Sequence, residues 1–166
     1  MGAAAAVAGQ NLGAGHPDRA SRAVHIAARY GVAGAALVGG FFLFFPTQLL
    51  AIFGMKEPAV VEIGTQLLRI LSLSGLFVAT ALTYTGGLQG TGDTKSPLYI
   101  SIVSQILVPL GICYFIRRAG RLDPIDIWIA ILVGHATRCA LSVARFNQGK
   151  WRTITVDLDQ EGRRTA

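Results

Sequence analysis

The sequence has little charge and lacks the residue patterns of catalysis. Only 14% of its 166 residues are charged and 52% are hydrophobic, whereas about a quarter of the residues in soluble domains are charged. Its two cysteines, Cys113 and Cys139, stand in apolar surroundings without a CxxC pair or a metal-ligand spacing. HExxH, GxSxG and paired catalytic carboxylates are also missing. We therefore expect no enzyme, no catalytic residue, no metal site and no cofactor.

Acidic residues are scarce relative to basic ones, at 9 against 15, and the formal net charge is +6. A basic protein can bind nucleic acid, but here aromatic residues make up only 8% of the chain. The basic residues flank apolar blocks instead of forming one patch. This distribution argues against nucleic acid as a partner and is typical of membrane topology.

Long uncharged blocks are what the sequence does contain. Residues 70–88 and 98–116 carry no charged side chain, and each block is about one bilayer thickness long as a helix. We predict an all-α integral membrane protein with about four transmembrane helices and the end of a further helix at the N-terminus. Pro109 should kink the third spanning helix. The predicted helices cover residues 1–12, 23–46, 62–89, 96–116 and 124–147, within a domain of residues 1–150 that precedes a polar tail of residues 151–166.

The basic residues divide unequally between the two ends of these spans. Four lie on one side: Lys56, Arg117, Arg118 and Arg121. Nine lie on the other: Arg19, Arg22, Arg29, Lys95, Arg145, Lys150, Arg152, Arg163 and Arg164. The positive-inside rule then predicts a multi-pass protein of the inner (plasma) membrane, with the C-terminus and residues 90–97 in the cytoplasm. Trp128 and Trp151 are expected to anchor the fourth span at the two interfaces.

Several polar residues inside the predicted spans are candidates for a transport path. His135 and Arg138 share a helix face, and they either line a water-filled path or form a snorkelling arginine beside a hydrogen-bonded histidine. Ser101, Ser104 and Gln105 share one face of the third predicted span, and they either coordinate substrate or hydrogen-bond a neighbouring helix. The full candidate set is Thr83, Ser101, Ser104, Gln105, His135 and Arg138.

Residues 90–97, Gly-Thr-Gly-Asp-Thr-Lys-Ser-Pro, form a short polar hinge between the two uncharged blocks. It is not a phosphate loop, because Thr94 occupies the position of the glycine that precedes the lysine. We expect the glycines to allow a tight turn, and Thr94 or Ser96 to cap the following helix. Asp93 should favour the positive N-terminal end of that helix. Gly86 and Gly90 form a GxxxG pair that permits close helix contact.

Three segments together resemble the MATE (multidrug and toxic compound extrusion) family of membrane antiporters. They are residues 9–15 (GQNLGAG), residues 86–97 (GGLQGTGDTKSP) and residues 145–151 (RFNQGKW). The second is similar to the family's "lrGaGdtrtP" loop and the third to its "rf..GkW" ending. Their order and spacing extend over almost the whole chain.

The resemblance implies a twelve-helix fold in two six-helix lobes, of which this chain is similar to the later part of the second lobe. It also implies export of cationic or amphipathic drugs, driven by inward flow of sodium or protons. The lipid bilayer, a small-molecule substrate and a missing N-terminal lobe would be the partners. By itself the chain is expected to export nothing.

The chain departs from the family pattern at the coupling site. Some members use a carboxylate within the tenth helix. In the corresponding residues 62–89 the only acidic residue is Glu62, at the very start. No coupling residue is therefore carried over. Two alternatives stay open: a lipid or polysaccharide flippase of the same superfamily, and a membrane assembly subunit that transports nothing.

Overall fold

In a computed structural model, which describes residues 2–154, the protein is a bundle of helices. Every regular element in this part of the chain is helical. In chain order the elements are α1 (Gly2–Gly13), α2 (Pro17–Phe44), α3 (Pro46–Ile52), α4 (Pro58–Gly90), α5 (Lys95–Ile102), a π-helical segment (Val103–Leu107), α6 (Val108–Ala119), α7 (Pro124–Asn147) and a 3₁₀ turn (Lys150–Thr153).

Four helical stretches are long and apolar enough to cross a membrane: Pro17–Phe44, Pro58–Gly90, Lys95–Ala119 and Pro124–Asn147. This confirms the predicted fold class, an all-α membrane protein with four spans preceded by a helix end. No more than 17% of the residues in the apolar stretch of any span are buried. A soluble protein would cover such stretches, so their exposure fits contact with lipid or with further helices.

Helix α2 begins at Pro17, six residues before the start expected from hydropathy. Proline suits the first helical turn because its missing amide hydrogen would have had no partner there, and Asp18 favours the positive N-terminal end. The helix therefore continues through Arg19 and Arg22, which hydropathy assigns to a loop. The short α3 was not predicted, because its seven residues are fewer than a span requires.

The third span is interrupted at its centre. The π-helical segment separates α5 from α6, and the Val108 amide donates to the carbonyl of Val103, five residues earlier. Pro109, which follows immediately, has no amide hydrogen to give, so the regular helical pattern fails at this point. Helix α7 passes very close by: a Cβ on Gly134 would lie 2.5 Å from the carbonyl oxygen of Ser104 and 2.9 Å from Cγ of Pro109.

Helix α4 is the centre of the packing, with α2 on one side, α7 on another and α1 against the end near the hinge. The backbones of α1 and α4 approach so closely that a Cβ on Gly90 would overlap the carbonyl of Ala5. The buried apolar core lies at this hinge end. Its members are Ala8, Ala20, Val24, Ala28, Tyr84, Leu88, Phe146 and Trp151.

Trp151 does not anchor the chain at a membrane interface, as the sequence suggested. It is 1% exposed, its ring stacks on Phe146 with centroids 4.9 Å apart, and its Nε1 donates to the Phe146 carbonyl at 2.8 Å. The turn that follows α7 folds back and brings the indole into the core. Most of the predicted polar tail lies outside the described residues.

The hinge is held by Asp93. Its Oδ1 accepts a hydrogen bond from the backbone amide of Ser96 at 3.1 Å, which satisfies one of the free amides at the start of α5. The expectation that Thr94 or Ser96 caps this helix is wrong, since the Thr94 side chain at the N-cap makes no capping bond and Ser96 lies within the helix. Thr91 is buried, and its hydroxyl donates to the carbonyls of Gly87 and Leu88, which closes the end of α4.

Candidate functional site

A groove opens between α2, α4 and α7, and we call it the central groove. It has a volume of about 440 Å³. The lining residues are His25, Ala28, Arg29, Val32, Thr80, Tyr84 and Val143. Most of this wall is apolar, with a few polar groups in it, which is the usual composition of a small-molecule pocket.

The polar groups of the central groove are linked across two helices. Nδ1 of His25 on α2 lies 2.8 Å from the hydroxyl of Tyr84 on α4. Both rings also meet Phe146 edge to face, with centroids 5.7 Å and 5.4 Å away. Since Phe146 stacks on Trp151, an aromatic layer closes the groove toward the hinge end. This layer fixes the His25 and Tyr84 rings in position.

Two of the six predicted residues, Ser101 and Arg138, meet in a second cavity, which we call the hinge cavity. It lies between α4, α5 and α7 and has a volume of about 430 Å³. Its lining residues are Thr85, Gln89, Thr94, Lys95, Pro97, Leu98, Ser101 and Arg138. Nε of Arg138 is buried and has no hydrogen-bond partner among the described residues.

Three more of the predicted residues serve contacts near the π-helical segment. Nε2 of Gln105 lies 3.3 Å from Nδ1 of His135, a hydrogen bond that joins this segment to α7. Ser104 is fully buried, and its hydroxyl donates to the carbonyl of Ile100 at 2.6 Å. Gln105 thus bonds a neighbouring helix and Ser104 bonds its own, while their role in a transport path stays a prediction.

Thr83 is not brought together with the other candidates. Its hydroxyl donates to the carbonyl of Ala79 at 2.9 Å, and it faces Gly31 of α2. Its neighbours Thr80 and Tyr84 line the central groove instead. Thr80 and Tyr84 are four residues apart and share the helix face that lines the groove, whereas Thr83 and Tyr84 are consecutive and leave the helix about 100° apart.

An ion pair links the hinge to the end of α7. Arg145 donates through Nε and Nη2 to Oδ2 of Asp93, at 3.0 Å and 2.9 Å. Burial alone would raise the pKa of Asp93, but the hydrogen bonds from Ser96, together with Arg145, lower it below its ordinary value. The side chain of Asp93 is 6% exposed and that of Arg145 is 26% exposed. The pair is therefore sheltered from solvent and stays charged near neutral pH.

Sequence reasoning missed His25, Arg29 and the partnership of Asp93 with Arg145. His25 and Arg29 are four residues apart, so they share one face of a helix. That spacing is a detectable pattern inside the predicted helix of residues 23–46, but Arg29 was interpreted only as a topology signal. Asp93 and Arg145 are 52 residues apart, so only the packing of α7 against α4 reveals their contact.

Among residues 2–154, no group of three histidine, cysteine or acidic side chains is placed to hold a metal ion. The two cysteines, Cys113 and Cys139, are free thiols of intermediate exposure. The two candidate sites differ in character, because the central groove is mostly apolar and the hinge cavity is basic.

The sequence matches the family model MatE over residues 1–115. It is similar to a probable multidrug resistance protein NorM of Thermotoga maritima, with 29% identity over 119 residues. It is also similar to the multidrug resistance protein MdtK of Pectobacterium atrosepticum, with 27% identity over 141 residues. A probable NorM of Mesorhizobium japonicum is 29% identical over 140 residues.

These alignments cover most of the chain but a small part of each relative. They include 72%, 82% and 81% of this chain and 25%, 31% and 30% of the respective relatives. The chain therefore spans about a quarter to a third of the length of the curated proteins it matches.

Proposed function

The chain belongs to the MatE family, and from that premise we propose that it is part of a cation-coupled antiporter that exports small amphipathic or cationic molecules. The family match over residues 1–115 carries the proposal. The names of the relatives, multidrug resistance proteins, support the substrate class. We further propose that sodium or protons drive the exchange.

The arrangement of the helices supports a partial role in such a transporter. Large apolar side chains stand exposed along α6, with Leu110 at 64%, Tyr114 at 60% and Phe115 at 70% exposure. Alternating access requires one helical unit to move against another around a central site. The chain would supply one wall of that site through the central groove, and further helices would supply the other.

The first experiment compares the chain alone with a longer transporter. Ethidium efflux would be measured in cells that lack their own exporters and that make either this chain or the longer reading frame containing it. We expect efflux from the longer protein only. Collapsing the sodium gradient and the proton gradient separately would identify the coupling ion. Efflux from the 166-residue chain by itself would contradict the proposal that it is one part of a longer transporter.

The second experiment tests the central groove within the longer protein. Tyr84→Phe removes the hydroxyl that lies 2.8 Å from His25 but keeps the ring. Tyr30→Phe is the matched control, because Tyr30 is 77% exposed and does not line the groove. We expect about a tenfold loss of efflux for Tyr84→Phe, in line with a lost hydrogen bond of about 1.4 kcal/mol. Equal losses in both variants would count against a role for the groove.

A further inference from the structure

The hinge cavity has cationic walls and no carboxylate among its lining residues. Lys95 enters from the start of α5 and Arg138 from α7. The nearest acidic residue along the chain is Asp93, and its two oxygens are already occupied by Ser96 and Arg145. Within residues 2–154, neither Lys95 nor Arg138 forms an ion pair. The cavity therefore holds uncompensated positive charge.

Arg138 shows that this charge is costly without a partner. Its Nε is shielded from solvent and makes no hydrogen bond to any described residue. An arginine that is partly removed from water loses hydration, and the loss is offset only when an anion or acceptor binds the guanidinium. Arginine is also the side chain that best fits the oxygens of a phosphate.

The rest of the cavity wall suits the same kind of ligand. Ser101, Thr94 and the Gln89 amide supply further hydrogen-bond donors. The cavity also includes the first turn of α5, whose positive end favours an anion. Pro97 and Leu98 add an apolar edge, and Leu98 is 59% exposed.

We propose that the hinge cavity is a binding site for a phosphate group, carried by an anionic phospholipid or present as a soluble phosphate. Lys95 and Arg138 neutralise the charge, and Ser101 and Thr94 donate to its oxygens. One span ends at Gly90 and the next begins at Lys95, so the mouth of the cavity is expected near the lipid headgroups, while Ser101 and Arg138 line it further inside the spans. The exposed Leu98 beside it gives an acyl chain a surface to follow.

This site is separate from the central groove and does not depend on transport. Its test uses the 166-residue chain purified in an uncharged detergent. Native mass spectrometry would compare the binding of phosphatidylglycerol with that of phosphatidylcholine. A second arm would add inorganic phosphate in excess. Displacement of phosphatidylglycerol by phosphate identifies a site open to the free anion, whereas retention identifies the lipid as the source.

The variants are Arg138→Gln and Lys95→Gln, with Arg69→Gln as the charge-matched control. Arg69 lines a different cavity near the far end of α4. We expect phosphatidylglycerol to bind wild type at least about tenfold more tightly than phosphatidylcholine, and each of the first two variants to lose about tenfold. Arg69→Gln should bind as wild type does. Arg138→Lys keeps the charge and should retain an intermediate affinity, while circular dichroism confirms that every variant is helical.

Two results would overturn the proposal. One is an equal affinity of the wild-type chain for both lipids together with no displacement of phosphatidylglycerol by inorganic phosphate. The other is a loss of anion binding in Arg69→Gln as large as in Arg138→Gln and Lys95→Gln, because net charge alone would then account for binding. Efflux assays do not enter this test, so its failure leaves the transport proposal standing.

Discussion

Asp93 connects two helices, α5 and α7, through a single carboxylate. It caps α5 through Ser96 and holds the end of α7 through Arg145, and its side chain is almost fully buried. Removing one partner of a sheltered ion pair leaves the other charge uncompensated, which costs more than losing a surface pair. The residue therefore acts as a joint between the hinge and the last span.

We predict that Asp93→Asn lowers the free energy of unfolding by about 1.5–3 kcal/mol, the range for a hydrogen bond to a charged group. Asp18→Asn is the matched control, since its pair with Arg152 is largely exposed and should contribute about 1 kcal/mol or less. Unfolding in mixed micelles at neutral pH would measure both. An equal or larger effect for Asp18→Asn would contradict the importance given to burial.

The pH dependence of Asp93 follows from its lowered pKa. A carboxyl that ionises more easily in the folded state stabilises the protein at pH values above its unfolded pKa, about 4. That contribution is lost as the pH falls through the lower, folded pKa. We expect wild type to lose stability between neutral and acid pH more steeply than Asp93→Asn does, as followed by thermal unfolding across that range.

Among the elements, α1 and α4 make the closest backbone approach at the hinge end. Gly90 permits it, because any Cβ there would overlap the Ala5 carbonyl. Gly90→Ala should lower stability by about 1–3 kcal/mol through overpacking. Gly75→Ala on the same helix meets no atom within 4 Å, so it should be neutral or slightly stabilising. Thermal midpoints of the two variants, measured in the same detergent, would test this difference in stability. An unchanged midpoint for Gly90→Ala would contradict the prediction and would mean that α1 shifts at little cost.

The elements also show how far the sequence could predict this fold. The four spans were predictable because each needs about 20 mostly apolar residues, and few other structures have that composition. Pro109 predicts a break in the third span, but no local pattern predicts its π-helical form or the close approach of Gly134 in α7 to Ser104. Periodicity along one helix contains no information about the neighbouring helix.

The candidate site was predictable only in part, for the same reason. Polar residues inside apolar blocks are recognisable, so the sequence indicates Ser101 and Arg138 as candidates. It does not indicate that the two residues line one cavity. Their partner Lys95 was assigned to topology alone. The His25–Tyr84 contact joins residues 59 apart. Trp151 resembles an interfacial residue in the sequence because it lies near the end of the fourth predicted span. Such contacts arise from tertiary packing, which no local pattern specifies.

At the scale of the whole molecule, we propose that the hinge end of the helices lies in the cytoplasm and the opposite end outside it. This topology has a direct test. Lys150→Cys and Arg121→Cys each replace one basic residue at opposite ends of α7, in a background where Cys113 and Cys139 are serine. With the hinge end in the cytoplasm, a membrane-impermeant maleimide should label Arg121→Cys in intact cells and Lys150→Cys only after lysis. The reverse pattern would invert the proposed topology.

The burial of Trp151 sets an order of events during synthesis. The indole completes the hinge-end core, yet it follows α7 and leaves the ribosome after all four spans. The core residues of α1, α2 and α4 therefore keep part of their shared apolar surface uncovered until the segment after α7 has been synthesised. A chain that ends before Trp151 would contain all four spans but lack the side chain that completes the hinge-end core.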